Sequence, residues 1–237
     1  INLTDSKINF SKLNYIKERG KKSELDFSIN FVLDKDYYVR NLIFLADKTK
    51  IHLSNIKLNK NLELIDLEKI VIKTFLDDIK NNDFSISKTE KIIVSGKILD
   101  AQPILNSLYA KEKRKTFSKD FNAQIKTNID KAITGTDDDI SDLSMIASVT
   151  KGSYDKLILK GNFSNNEILE LSIYKKDEDK KVLQLISDRA KPFIKNFKFI
   201  KGFEGGKLNY ESEIFKGNSN SNLIITDFKV SKVPVLA

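Results

Sequence analysis

Apolar and polar residues alternate along much of this chain. The clearest run is Leu25, Phe27, Ile29, Phe31 and Leu33, separated by Asp26, Ser28, Asn30 and Val32. Period two sends every second side chain to one face, the mark of a strand with one buried side. The pattern returns at Ile51 and Leu53, from Phe121 to Ile129, from Leu143 to Val149, from Leu157 to Phe163, at Leu169, Leu171 and Ile173, and at Leu183, Leu208 and Leu223. Turn-type clusters separate these runs, among them Asp34-Lys35-Asp36, Lys151-Gly152-Ser153 and Ser164-Asn165-Asn166. Strands recurring at roughly 8 to 14 residues predict an antiparallel meander.

Two segments break the alternation and read as helices. Asp100 stands as an N-cap before Ala101, Gln102 and Pro103, predicting a helix from Pro103 to Leu108. Ser187 or Asp188 caps a second, from Ala190 to Ile200, in which Phe193, Ile194 and Phe197 fall at helical spacing. Gly205 and Gly206 follow it, and the expectation is a tight turn into the next strand with at least one positive φ. Leu62 to Ile79 fits either element, and its β-branched residues favour strands. Strands followed by a short helix recur loosely, with a further helix start at Val233. That suits an elongated sheet better than a compact globule. The predicted class is therefore mainly β: an elongated, curled antiparallel sheet with two or three short helices, forming one segment over residues 1–237.

Composition narrows the chemistry. With 40% apolar and 31% charged residues the chain has enough side chain for a sizeable core. The net charge of +8 comes mostly from lysines alternating with apolar neighbours, which reads as a solvated strand face. Attraction to anionic phosphate groups is the functional alternative. Nucleic acid is disfavoured as a partner, since arginine is scarce and no recognition motif occurs. No apolar run reaches the roughly 18 residues of a membrane helix. The opening at Ile1 and the close at Val233-Pro234-Val235-Leu236-Ala237 read as a segment of a longer protein.

A catalytic constellation is missing from the pattern. His52 is the only histidine and there is no cysteine, which leaves no soft-metal ligand set and no thiol nucleophile. His52 is expected on the solvent face, opposite Ile51 and Leu53. Thr136-Asp137-Asp138-Asp139 lacks the glycine and closing glutamate of a calcium loop and reads as an acidic turn. Gly202-Phe203-Glu204-Gly205-Gly206 lacks the lysine and spacing of a P-loop. The sequence thus predicts no enzyme, no cofactor and no metal site.

A family resemblance covers residues 92–237. Ile92-Ile93-Val94-Ser95-Gly96-Lys97-Ile98-Leu99-Asp100-Ala101-Gln102-Pro103-Ile104-Leu105 is similar to a serine-glycine strand followed by an aspartate-capped helix. Leu185-Ile186-Ser187-Asp188-Arg189-Ala190 opens the second helix, and Gly205-Gly206-Lys207-Leu208 opens the strand after it. Leu223-Ile224-Ile225-Thr226-Asp227-Phe228-Lys229-Val230 precedes Pro234-Val235-Leu236-Ala237. In succession these elements resemble the C-terminal region of AsmA-like proteins, the class that includes TamB-type and YhdP-type envelope proteins. Residues 1–91 carry only the generic alternation.

The resemblance implies a periplasmic segment of a Gram-negative envelope protein, anchored in the inner membrane outside this chain and moving phospholipid toward the outer membrane. A curled sheet with one apolar face can hold acyl chains, because each CH₂ removed from water is worth about 0.8 kcal/mol. The groove lining expected from the sequence is Phe27, Ile29, Phe31, Leu157, Leu159, Leu169, Leu171 and Ile173. A sandwich closed on its own core, serving as a structural or protein-binding spacer, fits the alternation equally well.

Overall fold

The computed structural model describes residues 1–31, 36–107, 116–177, 179–195, 203–215 and 218–230, with backbone alone at Phe203 and Val230. The first strands, β1 (Ile8–Phe10) and β2 (Tyr15–Lys17), form a small hairpin around a 3-10 turn at Ser11–Leu13. A single thirteen-stranded sheet follows. Its first half is β3 (Ser23–Phe31), β4 (Tyr37–Ala46), β5 (Thr49–Leu58), β6 (Leu64–Leu76), β7 (Ile79–Lys88) and β8 (Ile92–Asp100). Helix α1 (Gln102–Ser107) precedes β9 (Ala123–Ile133), β10 (Ile140–Thr150), β11 (Ser153–Asn162), β12 (Ile168–Lys175) and β13 (Lys180–Ser187). Helix α2 (Lys191–Ile194) precedes β14 (Phe203–Phe215) and β15 (Asn218–Val230). Chain order is sheet order from β3 to β15, and the sheet does not close into a barrel.

The mainly β, curled sheet with few helices is as the alternation predicts, and Leu62 to Ile79 contributes strand, as its β-branched residues favour. One pairing departs from a pure meander: β8 and β9 run parallel. β8 ends and β9 begins at opposite ends of the paired strands, and only a connection of the order of length of residues 101–122 can join parallel neighbours. Several hairpins are tight. Asp77 and Asp78 between β6 and β7, and Lys151 and Gly152 between β10 and β11, all have positive φ, as two-residue turns matched to strand twist require. Register shifts in the β3–β4, β5–β6, β6–β7, β7–β8 and β10–β11 pairings mark bulges, which deepen twist and curl the sheet.

The strands have an upper rim, where β3 begins and β8 ends, and a lower rim, where β3 ends and β8 begins. Along the upper rim the apolar face is capped. Leu105 of α1 and Phe193 and Ile194 of α2 pack with Ile129, Leu143, Leu169 and Leu208. Farther toward β3, Phe10 and Tyr15 pack on Phe44, with ring centroids 5.4 and 6.2 Å away. Polar contacts fix this N-terminal cap. The Lys17 ammonium is buried and donates to the carbonyls of Leu3, Thr4 and Ser6 at 2.7–2.9 Å. Asn14 Nδ2 donates to the buried Asp100 at 2.9 Å, and Asn82 Nδ2 to the Leu13 carbonyl at 2.8 Å.

Three sequence expectations need correction. Gly205 and Gly206 do have positive φ, 68° and 89°, but they lie inside β14 and not in a turn. There the Gly206 carbonyl accepts the Ala190 N–H at 2.8 Å, which ties the strand to the start of α2. The second helix is also shorter than expected: Ala190 lies before α2, which ends at Ile194, and residues 196–200 lie outside the described residues. The first begins at Gln102, whose N–H is taken by the Asp100 carboxylate at 3.1 Å, while Leu108 lies outside the described residues. The helix start at Val233 also lies outside them.

Candidate functional site

Cross-strand registration assembles one row of side chains that crosses every strand of the large sheet. Phe27 pairs with Leu42, Leu42 with Leu53, Leu53 with Ile70, Ile70 with Ile86 and Ile86 with Val94. The row continues through Thr127, Met145, Leu159, Leu171, Leu185 and Tyr210 to Leu223. Only Thr127 is not predominantly apolar. Thirteen strands give twelve steps of about 4.8 Å, hence a row on the order of 58 Å.

Burial distinguishes this row from its flanks. Above it, Phe44, Ile129, Leu143, Leu169 and Leu208 are buried under the caps; below it, Val39, Ile56, Leu67, Ile125, Ala147 and Leu157 are buried with Phe121. The row itself is half-buried from Leu42 to Tyr210, apart from buried Thr127, and exposed at its ends, Phe27 (44%) and Leu223 (38%). Between two packed margins there is thus an apolar strip in contact with water along its length. The opposite face is wetter: Ile146 is half exposed whereas Ala147 beside it is buried, and Lys160 pairs there with Glu170 at 2.7 Å.

The strip's lower margin is aromatic. Phe117 stacks on Phe121 with centroids 4.4 Å apart and meets Tyr154 edge-on at 6.0 Å. Phe117 also bridges to Leu64 at the foot of β6, so the segment returning from α1 reaches the lower rim on the apolar side. Burial pushes the Tyr154 hydroxyl above its ordinary pKa and the nearby Lys181 ammonium below its own.

The eight residues expected to line a groove all lie on the apolar face but do not form one patch. Phe27, Leu159 and Leu171 belong to the row. Ile29 and Ile173 sit one step below it, and Phe31 lies at the lower rim, 68% exposed. Leu157 and Leu169 are buried in the lower and upper margins. The β3 group is eight strand steps from β11, about 38 Å along the sheet. Leu42, Ile70, Ile86, Val94 and Leu185 were not singled out from the sequence as lining. Ile70-Val71-Ile72 and Ile92-Ile93-Val94 are unbroken apolar runs, and only pairing decides which members face the strip.

The histidine and the acidic turn are engaged structurally. His52 lies on the polar face and its Nε2 hydrogen-bonds Asn41 Oδ1 at 3.0 Å. Asp137, Asp138 and Asp139 pair with Lys191, Arg189 and Lys131. Among the described residues no three His, Cys, Asp or Glu side chains are grouped to hold a metal ion, and no helix is long and apolar enough to cross a membrane. No family model, curated protein or solved structure matches the chain.

Proposed function

We propose that this chain is a non-enzymatic, periplasmic segment of an AsmA-like envelope protein that carries phospholipid between the inner and outer membranes, its apolar strip in contact with acyl chains. The supporting observation is the apolar row from Phe27 to Leu223, half-buried between its exposed ends. At about 58 Å it exceeds the roughly 15 Å of hydrocarbon in one bilayer leaflet several-fold, so a lipid would move along it through successive equivalent contacts. Each contact replaces water on an acyl chain with Leu, Ile or Met, and none needs a reactive group. Headgroups stay in water. Attachment to the inner membrane belongs to a segment outside residues 1–237, and nucleic acid is not a partner.

The alternative, a β-spacer with a closed core, draws on the burial of Leu157 and Leu169. The half-buried row between them favours the lipid reading. A photoreactive amino acid at Leu159 or Leu171 tests it: crosslinks to phospholipid in cells are expected at both, with none at polar-face Ser172. No lipid adduct at either row position would refute the proposal.

A further inference from the structure

Below the strip, strands β11 to β13 carry a short row of charge. Lys175 on β12 meets Asp155 of β11 on one side and stands directly opposite Lys181 of β13 on the other. Lys181 alternates with Leu183 and Leu185, so it faces the apolar side, two steps below the strip. Like charges set opposite each other across a strand pair repel, and here two lysines share one carboxylate. The neighbouring acids Glu213 and Asp177 pair with Lys176 and Lys180.

The two ammonium groups are unequally satisfied. Lys175 meets Asp155 Oδ1 at 3.0 Å, and that carboxylate also accepts from the Thr150 hydroxyl. The same oxygen lies 4.0 Å from Lys181 Nζ, beyond hydrogen-bond reach. Lys181 donates instead to two neutral oxygens, Ser153 Oγ at 2.8 Å and the Tyr154 carbonyl at 2.6 Å. An ammonium has three donors, so one is unused among the described residues. The Lys181 side chain is only 24% exposed, and burial, with the like charge of Lys175 adding to it, holds its pKa below the ordinary value in spite of Asp155. The row thus has one positive charge in excess and a spare donor, next to the aromatic margin. An anionic oxygen between the two lysines would supply what both lack.

The position of the row selects the kind of anion. Between it and the strip lie only Ile173 and Leu183, half-buried and paired with each other. From Lys181 to Leu185 is four residues of strand, about 13 Å, within the roughly 15 Å of hydrocarbon in one bilayer leaflet. We propose that Lys175, Lys181 and the Ser153 hydroxyl bind the phosphodiester of a phospholipid whose acyl chain runs up β12 and β13 into the strip. The inference rests on the lipid reading and adds an orientation to it: headgroup at the wet lower rim, chain toward α2.

Amide NMR tests it with three probes. Dihexanoyl phosphatidylglycerol, kept below its micelle concentration, carries both parts; dihexanoylglycerol has the chains without the phosphate, and inorganic phosphate has the anion without the chains. Phosphatidylglycerol should shift Ser153 and Lys181 together with Leu171 and Leu185, and should bind about tenfold more tightly than dihexanoylglycerol, the worth of one charge-assisted hydrogen bond. Lys181→Met should abolish that preference while the shifts at Leu171 and Leu185 remain. Lys175→Met, at a side chain 49% exposed and so tolerated by the fold, should weaken the preference in the same direction. Strip shifts that are equal with and without phosphate, and indifferent to Lys181→Met, overturn the headgroup site and leave the lipid reading standing. Inorganic phosphate binding at Lys181 as tightly as phosphatidylglycerol makes it a site for the free anion and also overturns the proposal. No strip shift with either lipid overturns both readings.

Discussion

Leu169 and Leu171 are two residues apart on β12 and face the same side, yet the fold gives them different surroundings, so one substitution made at each separates an open strip from a filled core. Leu169 is 3% exposed beneath the α2 cap, packed with Phe193 and Leu208. Leu169→Asp leaves a cavity, at about 2–5 kcal/mol, and strands a buried unpaired charge, at roughly 3–5 kcal/mol more. Together these approach the 5–15 kcal/mol that holds a typical domain folded, so this variant should show no cooperative thermal transition. Leu171 lies in the half-buried row. There Leu171→Asp loses about 2 kcal/mol of apolar burial, while the carboxylate keeps its hydration. For a chain of this size that is a fall in Tm of roughly 4–8 °C with the β spectrum intact. The assay is thermal unfolding followed by circular dichroism, paired with phospholipid photocrosslinking from Leu159 in the same background. Crosslinking should fall in the folded Leu171→Asp protein, because an ion now sits beside the acyl path. Equal unfolding of both variants would refute the open strip, and a normally folded Leu169→Asp protein would refute the cap packing.

Other consequences are simpler to check. A Cβ on Gly96 would overlap the Asp83 carbonyl oxygen and the Cα and Cβ of Phe84, so Gly96→Ala should cost about 3 kcal/mol in denaturant unfolding; a loss under ~0.5 kcal/mol would contradict the close β7–β8 approach. Lys17→Met leaves three carbonyls without their ammonium and should cost about 3 kcal/mol, with hydrogen exchange accelerating at Leu3 and Gly20 ahead of the large sheet. The Thr150 hydroxyl, and after it the Lys175 ammonium, hold the Asp155 carboxyl below 3.8. Its stabilisation is therefore complete above the unfolded value and lost as pH falls through the lower folded one. Asp155→Asn should be slightly less stable than the parent at pH 7, and the difference should shrink as pH falls below 3.8; a difference that does not shrink in acid would rule out this origin.

Much of the fold was legible from local pattern. Period two marked the strands, and Asp100 with Pro103 marked the first helix, because side-chain alternation and the capping of free N–H groups act over neighbouring residues. Gly205 and Gly206 show where local reading stops. Their positive φ was anticipated, but glycine serves a strand distortion as well as a turn. Here the choice rests on contacts with Asp227 on β15 and Ala190 before α2, both remote in sequence from the turn expected.

The sequence by itself determined that the protein would be a β sheet with one apolar face, and that this face would be made of Phe, Leu and Ile. Tertiary structure decided which of those residues are core and which meet water. Leu157 and Leu159, or Leu169 and Leu171, are equivalent in an alternating strand; helices and returning segments distant in sequence bury one of each pair and leave the other half open. It also decided the parallel β8–β9 step, and with it the direction in which the last strand points. A hydrophobic pattern specifies a face, whereas register and long-range packing specify what covers it.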